Sequence, residues 1–544
     1  MGQEYKRLHL KNSGQDYGYA FLRNELVGRL SDEAGFPDVQ HATPVCVYVN
    51  GEYYGSYWLS HHFDGQYFEN RYGEFDGEFV VLEYSDEEKT VEEESSEIEA
   101  AYTEEYNALY KKYAAMDLTD DKNFEELQQF MDVENYLQYF AIENFVGNFD
   151  WPNNNVRTYR YVAGDNGYTE DSVFDGRYRC ILYDVDYGFG LMFYYDTIGT
   201  LVSDLTLDKI MNEASPMFAA LMQREDCRQI FVTYTLDLIN GAMSAENVAE
   251  RVDEMHGERV QELVRTLEVE GLVGGLLLSP DAMNMETVDR NLVHIRSYAE
   301  KRPQYVFRDF EEKFGYQEKY QLTVRVELDA PTENTSENET SGIPGAYSRV
   351  RVNSVYCEDS TFLGTYLKEV PVTLTPCVGP NETFSHWLVD GQVYEEEQLV
   401  LSKENVAGEC TEVVLVCCEA DAPKLQIAAV AAKGHNDYVE LINCSSRSVS
   451  TFGYSLTDSA KDPWKYILPT VVLKPGETLR MVGKNNSNPD SLGQYGLNFN
   501  LKQGEILQLY YNKQPLDCVE IPALSEDGVY TRDFARGKYF ETKR

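Results

Sequence analysis

The sequence predicts a multidomain protein: a mixed α+β domain over residues 1–315, a small β domain over 318–420, a β-sandwich over 424–522 and a C-terminal tail over 523–544. Three observations predict it. The 544 residues exceed one ordinary core, since roughly 150 residues per domain implies about three to four units. Apolar residues recur with helical spacing only before residue 315, and from Glu318 onward they alternate in short runs divided by turn formers. Hydrophobic residues make up 43% of the chain, enough to fill several cores and to exclude wholesale disorder.

Charge narrows the partners. Lys and Arg number 47 against 92 Asp and Glu, a formal net charge of −45. Such a surface repels phosphate backbones and excludes general nucleic-acid binding; it favours cations and basic peptides instead. No run of about 18 apolar residues occurs, so no transmembrane segment is expected. Met1 to Lys6 carry no apolar leader or cleavage site and lead at once into a strand-like Leu8 and Leu10, which predicts an N-terminally truncated reading frame.

Within the first region, Val45–Val49, then Asn50-Gly51, then Tyr53–Trp58 predict a hairpin with a type I′ turn. The acidic run from Asp86 to Glu99, opposed only by Lys89, reads as a solvated loop or helix start. Val133, Tyr136, Leu137, Phe140, Ala141 and Phe145 fall at i, i+3, i+4 spacing and predict a helix ending near Gly147. Val248, Val252, Met255, Leu263 and Leu267 mark another. Val288 to Phe310 carries Leu292, Ile295 and Tyr298 on one face, with Pro303 expected to kink or split it.

Past Glu318 the helical period disappears. Pro331 to Gly342 is a polar linker. Leu425–Ala431, Tyr438–Ile442, Leu479–Val482 and Ile506–Tyr511 are short strands at regular spacing, the pattern of a sandwich. The ten cysteines include no C-x-x-C pair, and several sit in apolar runs such as Val413–Cys417, so they read as small buried hydrophobes, with a few C-terminal disulfides open.

Chemistry concentrates in two segments. Asn144 to Asn155 follows a helix C-terminus, and the strand Arg179–Tyr183 runs into Asp184-Val185-Asp186-Tyr187-Gly188-Phe189-Gly190. Two carboxylates at the mouth of a buried strand are costly unless a divalent cation or hydrogen bonds compensate them. Asp150 to Asn155 keeps the interval of a kinase catalytic loop, in which the Asp orients a hydroxyl and the Asn holds Mg²⁺. Either element alone is an Asx-rich turn; together, in this order, they point to phosphoryl transfer.

Tyr5–Asp16, Phe21–Leu26, Val49–Tyr57, Asn148–Asn155, Tyr183–Gly190 and Arg302-Pro303 together resemble the CotH-type (spore coat protein H) atypical protein kinases over about residues 1–315. The resemblance implies a distant protein-kinase-like fold transferring the ATP γ-phosphate to Ser or Thr of secreted or surface proteins, with Mg²⁺ or Mn²⁺. Carried over, Asp150 is the catalytic Asp and Asn155 the metal Asn, with Asn153 and Asn154 as rivals. Asp184 is preferred as the second metal ligand, and Asp186 is kept. The chain departs from the family pattern at His61-His62, where an acidic-basic pair is usual, and lacks the family's preceding basic, β-rich portion. Lys11 and Arg23, in a locally basic stretch, are candidates for the nucleotide phosphates, with surface charge or ion pairing as the alternative. His61 and His62 are strand neighbours pointing to opposite faces, a poor metal pair.

Asp437–Asn443, Phe452–Asp458, Leu473–Glu477 and Leu501–Leu509 resemble a lamin-tail domain, an immunoglobulin-like sandwich. Residues 361–391 resemble short bacterial extracellular β repeats. The expectation is therefore a secreted or cell-surface protein kinase acting on a protein substrate, basic and Ser-rich, with β modules that take a surface protein or glycan. The alternative is a non-catalytic adhesin or scaffold on a degenerate kinase fold.

Overall fold

The computed structural model describes residues 5–82, 97–191, 207–273, 284–329, 348–419 and 425–543, apart from 74, 153, 171, 212–214, 358–360, 379–381, 433–436, 446–447, 460, 485–494, 513, 525–527 and 534–537. Most of the acidic run from Asp86, the linker Pro331–Gly342 and Asn153 lie outside the described residues. The chain divides into two compact units, residues 1–319 with 365–372 and residues 320–364 with 373–544.

The first unit opens with β1 (Leu8–Lys11), α1 (Arg23–Glu33), β2 (Ala42–Val49) and β3 (Glu52–His61), the strands forming an antiparallel sheet ordered β1-β3-β2. Asn50 and Gly51 sit at φ 53 and 87, both left-handed, as a type I′ turn requires. A second sheet joins β4 (Glu78–Leu82), β5 (Arg157–Val162) and β6 (Arg179–Ile181), and α2 (Gly65–Tyr72) adds Tyr67 and Phe68 to its aromatic core. The hydroxyls of Tyr67, Tyr72 and Tyr159 donate to the buried Asp38 carboxylate at 2.9, 2.9 and 2.6 Å.

Helices follow: α3 (Glu97–Ala114), α4 (Asp121–Phe130), α5 (Val133–Val146), α6 (Pro216–Leu221), α7 (Glu225–Asn240), α8 (Ala245–Val273) and α9 (Met285–Phe314). Asp132 caps α5 by accepting from the Asn135 N–H, a contact worth about 1 kcal/mol. Buried residues line α5 on every face, so it lies in the interior rather than on the surface. Of the kink or split expected at Pro303, the split does not occur: α9 runs through it from Met285 to Phe314. Buried Ile295, Tyr298 and Arg302 before it and Val306, Phe307 and Phe310 after it hold one helix together, against an interior-proline cost of about 3 kcal/mol.

In the second unit, strands Lys319–Asp329 and Cys410–Glu419 pair in parallel inside a five-stranded sheet, beside a separate four-stranded sheet. The C-terminal part is a sandwich of six and four strands. Fully buried Ile427, Val439, Leu441 and Met481 from the larger sheet share one core with Tyr454, Leu456, Leu507 and Leu509 from the smaller.

Residues 523–544 are not a tail. Gly528–Asp533 pairs with Leu425–Ala431, and Lys538–Lys543 closes the edge of the same six-stranded sheet. The Tyr539 hydroxyl donates to the Ile427 carbonyl at 2.8 Å, and Arg532 pairs with Asp517 at 2.5 Å. These strands finish the sandwich by tying its first strand to its last. The ten cysteines are all free; Cys180, Cys227, Cys357, Cys377 and Cys417 are buried, whereas Cys46, Cys410 and Cys518 are exposed because strand alternation turns them outward, and Cys444 is exposed just past its strand.

Candidate functional site

The C-terminus of α5 organises the site. Gly147 ends the helix in the left-handed region, at φ 63, and the last carbonyls need partners from elsewhere. Two side chains of α9 supply them: Arg302 donates to the Asn144 and Phe145 carbonyls at 2.7 and 3.2 Å, and the Tyr298 hydroxyl to Phe145 at 3.0 Å. The Phe189 N–H donates to the Val146 carbonyl at 2.8 Å. The loop after α5 and the loop after β6 are therefore anchored to the same helix end. Gly188 makes this possible, because a Cβ there would lie 3.1 Å from the Val185 carbonyl and 3.5 Å from Val146.

Along the second loop, Asp184 adopts φ 56 and ion-pairs with Lys11 at the end of β1. The Asn24 side chain accepts from the Val185 N–H at 3.1 Å, and Asp186 accepts from the Gln15 N–H at 2.7 Å. Gly14, at φ 57, leaves room for Asp186, whose carboxylate a Cβ would strike. Burial, with Asp184 adding repulsion and Lys11 opposing it, pushes the Asp186 carboxyl up to about 6. Burial alone would lower the Lys11 ammonium, but Asp184 and Asp186 outweigh it and raise it.

Asp150 is partly exposed, and its carboxylate accepts from the Asn154 side chain at 3.2 Å. It belongs to the same electrostatic neighbourhood. The Tyr187 phenol is raised by burial and then by Asp150, Asp186 and Asp184. Lys11, Asp184 and Asp186 are thus brought together, and Asp150 lies near enough to Tyr187 to act on its phenol.

Asn155, at φ 64 and two residues before β5, carries no contact to either aspartate among the described residues. Arg23 does not join the site. It is fully buried, ion-paired with Asp16 and bonded to Asn291 at 3.1 Å, while Asp16 also accepts the Leu22 and Arg23 N–H groups at 2.8 and 2.9 Å. Its guanidinium anchors the start of α1 and has no surface left to offer a phosphate. His61 is buried against Tyr67, at 4.6 Å between rings, while His62 meets His9, so the two histidines do part to different surroundings.

Among the described residues no three His, Cys, Asp or Glu side chains converge as a metal cage. The donors at hand are the Asp184 and Asp186 carboxylates. An oxygen-only pair suits Mg²⁺ or Mn²⁺, since Mg²⁺ is usually held by one or two carboxylates and completed by substrate phosphates. The residues present fit such an ion.

A protein-family model described as CotH kinase protein matches residues 1–306, more than half of the chain and both anchored loops. The chain belongs to the CotH kinase family. No curated protein matches it. Among solved structures, a DUF4876 family protein from Bacteroides thetaiotaomicron covers 41% of this chain and 92% of its own at 11% identity, with a TM-score of 0.16, a likeness too weak to carry an argument.

Three residues of this CotH-family site escaped the sequence reading. Glu25 on α1 is buried; burial pushes its carboxyl up to about 7, while Lys11 and Arg259 pull it down. Lys209 donates to the Phe149 and Trp151 carbonyls at 3.4 and 3.2 Å, and burial lowers its ammonium against the pull of Asp150. The Arg157 guanidinium stacks 3.4 Å above the Tyr183 ring, which Lys11 also approaches at 5.6 Å. Only Glu25 had a local signal, an acid facing inward on the first helix after a Lys-bearing strand. Lys209 and Arg157 arrive from distant sequence with no motif.

Proposed function

We propose that the first unit of this CotH-family chain is a metal-dependent protein kinase, transferring the ATP γ-phosphate to a Ser or Thr hydroxyl. The observation that carries the reading is the Lys11–Asp184 ion pair, with buried Glu25 interacting with Lys11 and Asp150 sharing the Tyr187 surroundings. A strand lysine partnered by a helix glutamate, a metal aspartate and a loop aspartate is the set that kinase phosphoryl transfer uses.

In this reading Lys11 leaves Asp184 to hold the α/β-phosphates, and Glu25 steadies its ammonium. Asp184 would hold Mg²⁺ or Mn²⁺, aided by Asp186, with Asn155 as the candidate third ligand. When bound, the cation neutralises charge on the β- and γ-phosphates. Asp150 accepts the proton of the acceptor hydroxyl as its oxygen bonds to the γ-phosphorus and ADP departs. Positioning and electrostatics supply most of the acceleration in such a reaction.

The net charge of −45 favours a basic, Ser-rich acceptor, steered to the surface at low salt. We place the chain outside the cell or on its surface, with the sandwich as a lamin-tail-type module for a surface protein or glycan. Its ordered motifs and two-sheet core support that assignment. The test is radiolabel transfer from ATP with Mn²⁺ or Mg²⁺ to basic and acidic acceptor proteins, beside calorimetric nucleotide binding. Transfer that Asp184→Asn abolishes is expected. Transfer undiminished in that variant refutes the site; no transfer to any acceptor supports the scaffold reading.

A further inference from the structure

The loop that carries Asp150 is anchored on both sides of it. Asn148 and Trp151 are fully buried, whereas Phe149 is 45% exposed and Asp150 partly exposed. The Trp151 indole packs edge-on against Phe140 and Tyr139, at 4.7 and 6.0 Å between rings. A loop pinned at 148 and 151 presents only what lies between them.

Beneath this loop, α5 offers Tyr139 and Glu143, one turn apart on one face and both sealed from water. Both Glu143 carboxyl oxygens, the Asn148 amide, the Tyr139 hydroxyl and the Trp151 indole N–H are buried, and none meets a partner at full hydrogen-bond geometry. The groups nevertheless act on one another. Burial pushes the Glu143 carboxyl up to about 8, and Asn148 and Tyr139 pull against that rise. Burial also raises the Tyr139 phenol, with Glu143 adding to it and Trp151 opposing. Donors and acceptors match along one chain. The Trp151 indole can donate to the Tyr139 hydroxyl, which can donate to one Glu143 oxygen while the other accepts from Asn148. Hydrogen bonds around a reaction centre are often long and tighten when substrate binds. Unpaired buried polar groups are rare in native folds, so a patch of them under one loop calls for a role.

We infer that Glu143 is a positioning residue: directly through Asn148, and through Tyr139 to Trp151, it holds the Asp150 loop against α5. The part played by Asp150 rests on the kinase reading above; the network itself does not.

The test is a pair of measurements on the whole chain. With isotope-labelled tryptophan, the indole N–H resonance of Trp151, assigned by its loss in Trp151→Phe, should shift in Tyr139→Phe and in Glu143→Leu. The Trp58 and Trp387 indoles, which donate to the Phe21 and Glu397 carbonyls at 2.9 and 3.3 Å, should stay in place. In radiolabel transfer, kcat should fall about tenfold in Tyr139→Phe and about a hundredfold in Glu143→Leu, with the KM for ATP unchanged, as a small misplacement of a reacting group does. Glu143→Gln keeps the shape and an acceptor oxygen, and should hold kcat within about threefold of the original chain. Should Glu143→Leu not fold, Tyr139→Phe, which removes a single oxygen, decides alone. An unmoved Trp151 indole overturns the network, as do shifts shared equally by all the indoles. A moved indole with unchanged kcat overturns the positioning role and leaves the kinase reading intact. The indole measurement needs no nucleotide, so a chain that transfers no phosphate fails the kinase reading while its indole still decides the network.

Discussion

The two units treat buried charge in opposite ways. The first buries Asp16, Arg23, Glu25, Asp38, Glu143, Asp186, Arg259 and Arg302, among others, whereas the second buries Glu382 as its sole charged residue among those described. Taking charge out of water costs several kcal/mol per ion, so a fold keeps it only where partners or chemistry compensate. In the first unit Glu25, Glu143, Asp186 and Arg302 gather at the α5 end and the loops of the candidate site, while Asp16, Arg23, Asp38 and Arg259 are held by partners elsewhere. The second unit is held by alternating apolar strands, and its buried polar residues are chiefly Ser, Thr and Asn. Electrostatic organisation marks the part that can do chemistry; apolar alternation marks the part that holds shape.

The largest expected effect breaks the first side of this contrast. Asp150→Ala should lower phosphate transfer by about three orders of magnitude or more, as removal of an essential catalytic group does. The unfolding midpoint should stay where it is, because a half-exposed loop carboxylate contributes little packing. Equal loss of stability and activity would make Asp150 structural.

Next comes the buried pair at α1. Arg23→Met leaves Asp16 without its cation at zero exposure and should cost about 3–5 kcal/mol in denaturant unfolding. Nucleotide affinity of the folded fraction should be unchanged. A drop in affinity with stability intact would return Arg23 to the phosphates.

The second unit offers a smaller effect. Residues 425–543 should unfold cooperatively as an isolated sandwich, and a fragment ending at 522 should be about 2–4 kcal/mol less stable, for loss of the buried Val529 and the Tyr530–Tyr539 stack. Equal midpoints for the two fragments would restore the C-terminal tail.

Another effect is pH-dependent. Burial, with Asp184 adding to it, pushes the Glu143 carboxyl up to about 8 from an ordinary 4.5. A raised folded value means the native state binds the extra proton, so this contribution is complete below about 4.5 and is lost as pH rises through about 8. Glu143→Gln should flatten that part of the stability profile of the whole chain. The sandwich fragment, with no carboxylate among its described buried residues, should show no matching slope. An identical slope in Glu143→Gln would place the titration elsewhere.

Much of the architecture was legible locally. The Asn50-Gly51 turn and the stop of α5 at Gly147 follow from backbone preferences within a few residues. Both acid-bearing loops were found because motif spacing survives in sequence. Gly528–Asp533 was missed because Arg532 and Asp533 interrupt its short alternation, and only pairing with Leu425–Ala431 makes it a strand. Whether Pro303 would kink or split α9 was not decided locally, because helix propensity says nothing of the buried residues on either side of it.

The main periodic helices, the two loops and the chemical character of Asp150, Asp184 and Asp186 could be read locally, since these depend on residue type and near neighbours. Only the tertiary structure decided which cation meets which acid. Lys11 and Arg23 look equivalent in a basic stretch, yet Lys11 reaches Asp184 across 173 residues while Arg23 is sealed against Asp16 and Asn291. The reason is physical: Coulomb attraction and desolvation act through space, and the distances that set them are created by packing α1, α5 and α9 together.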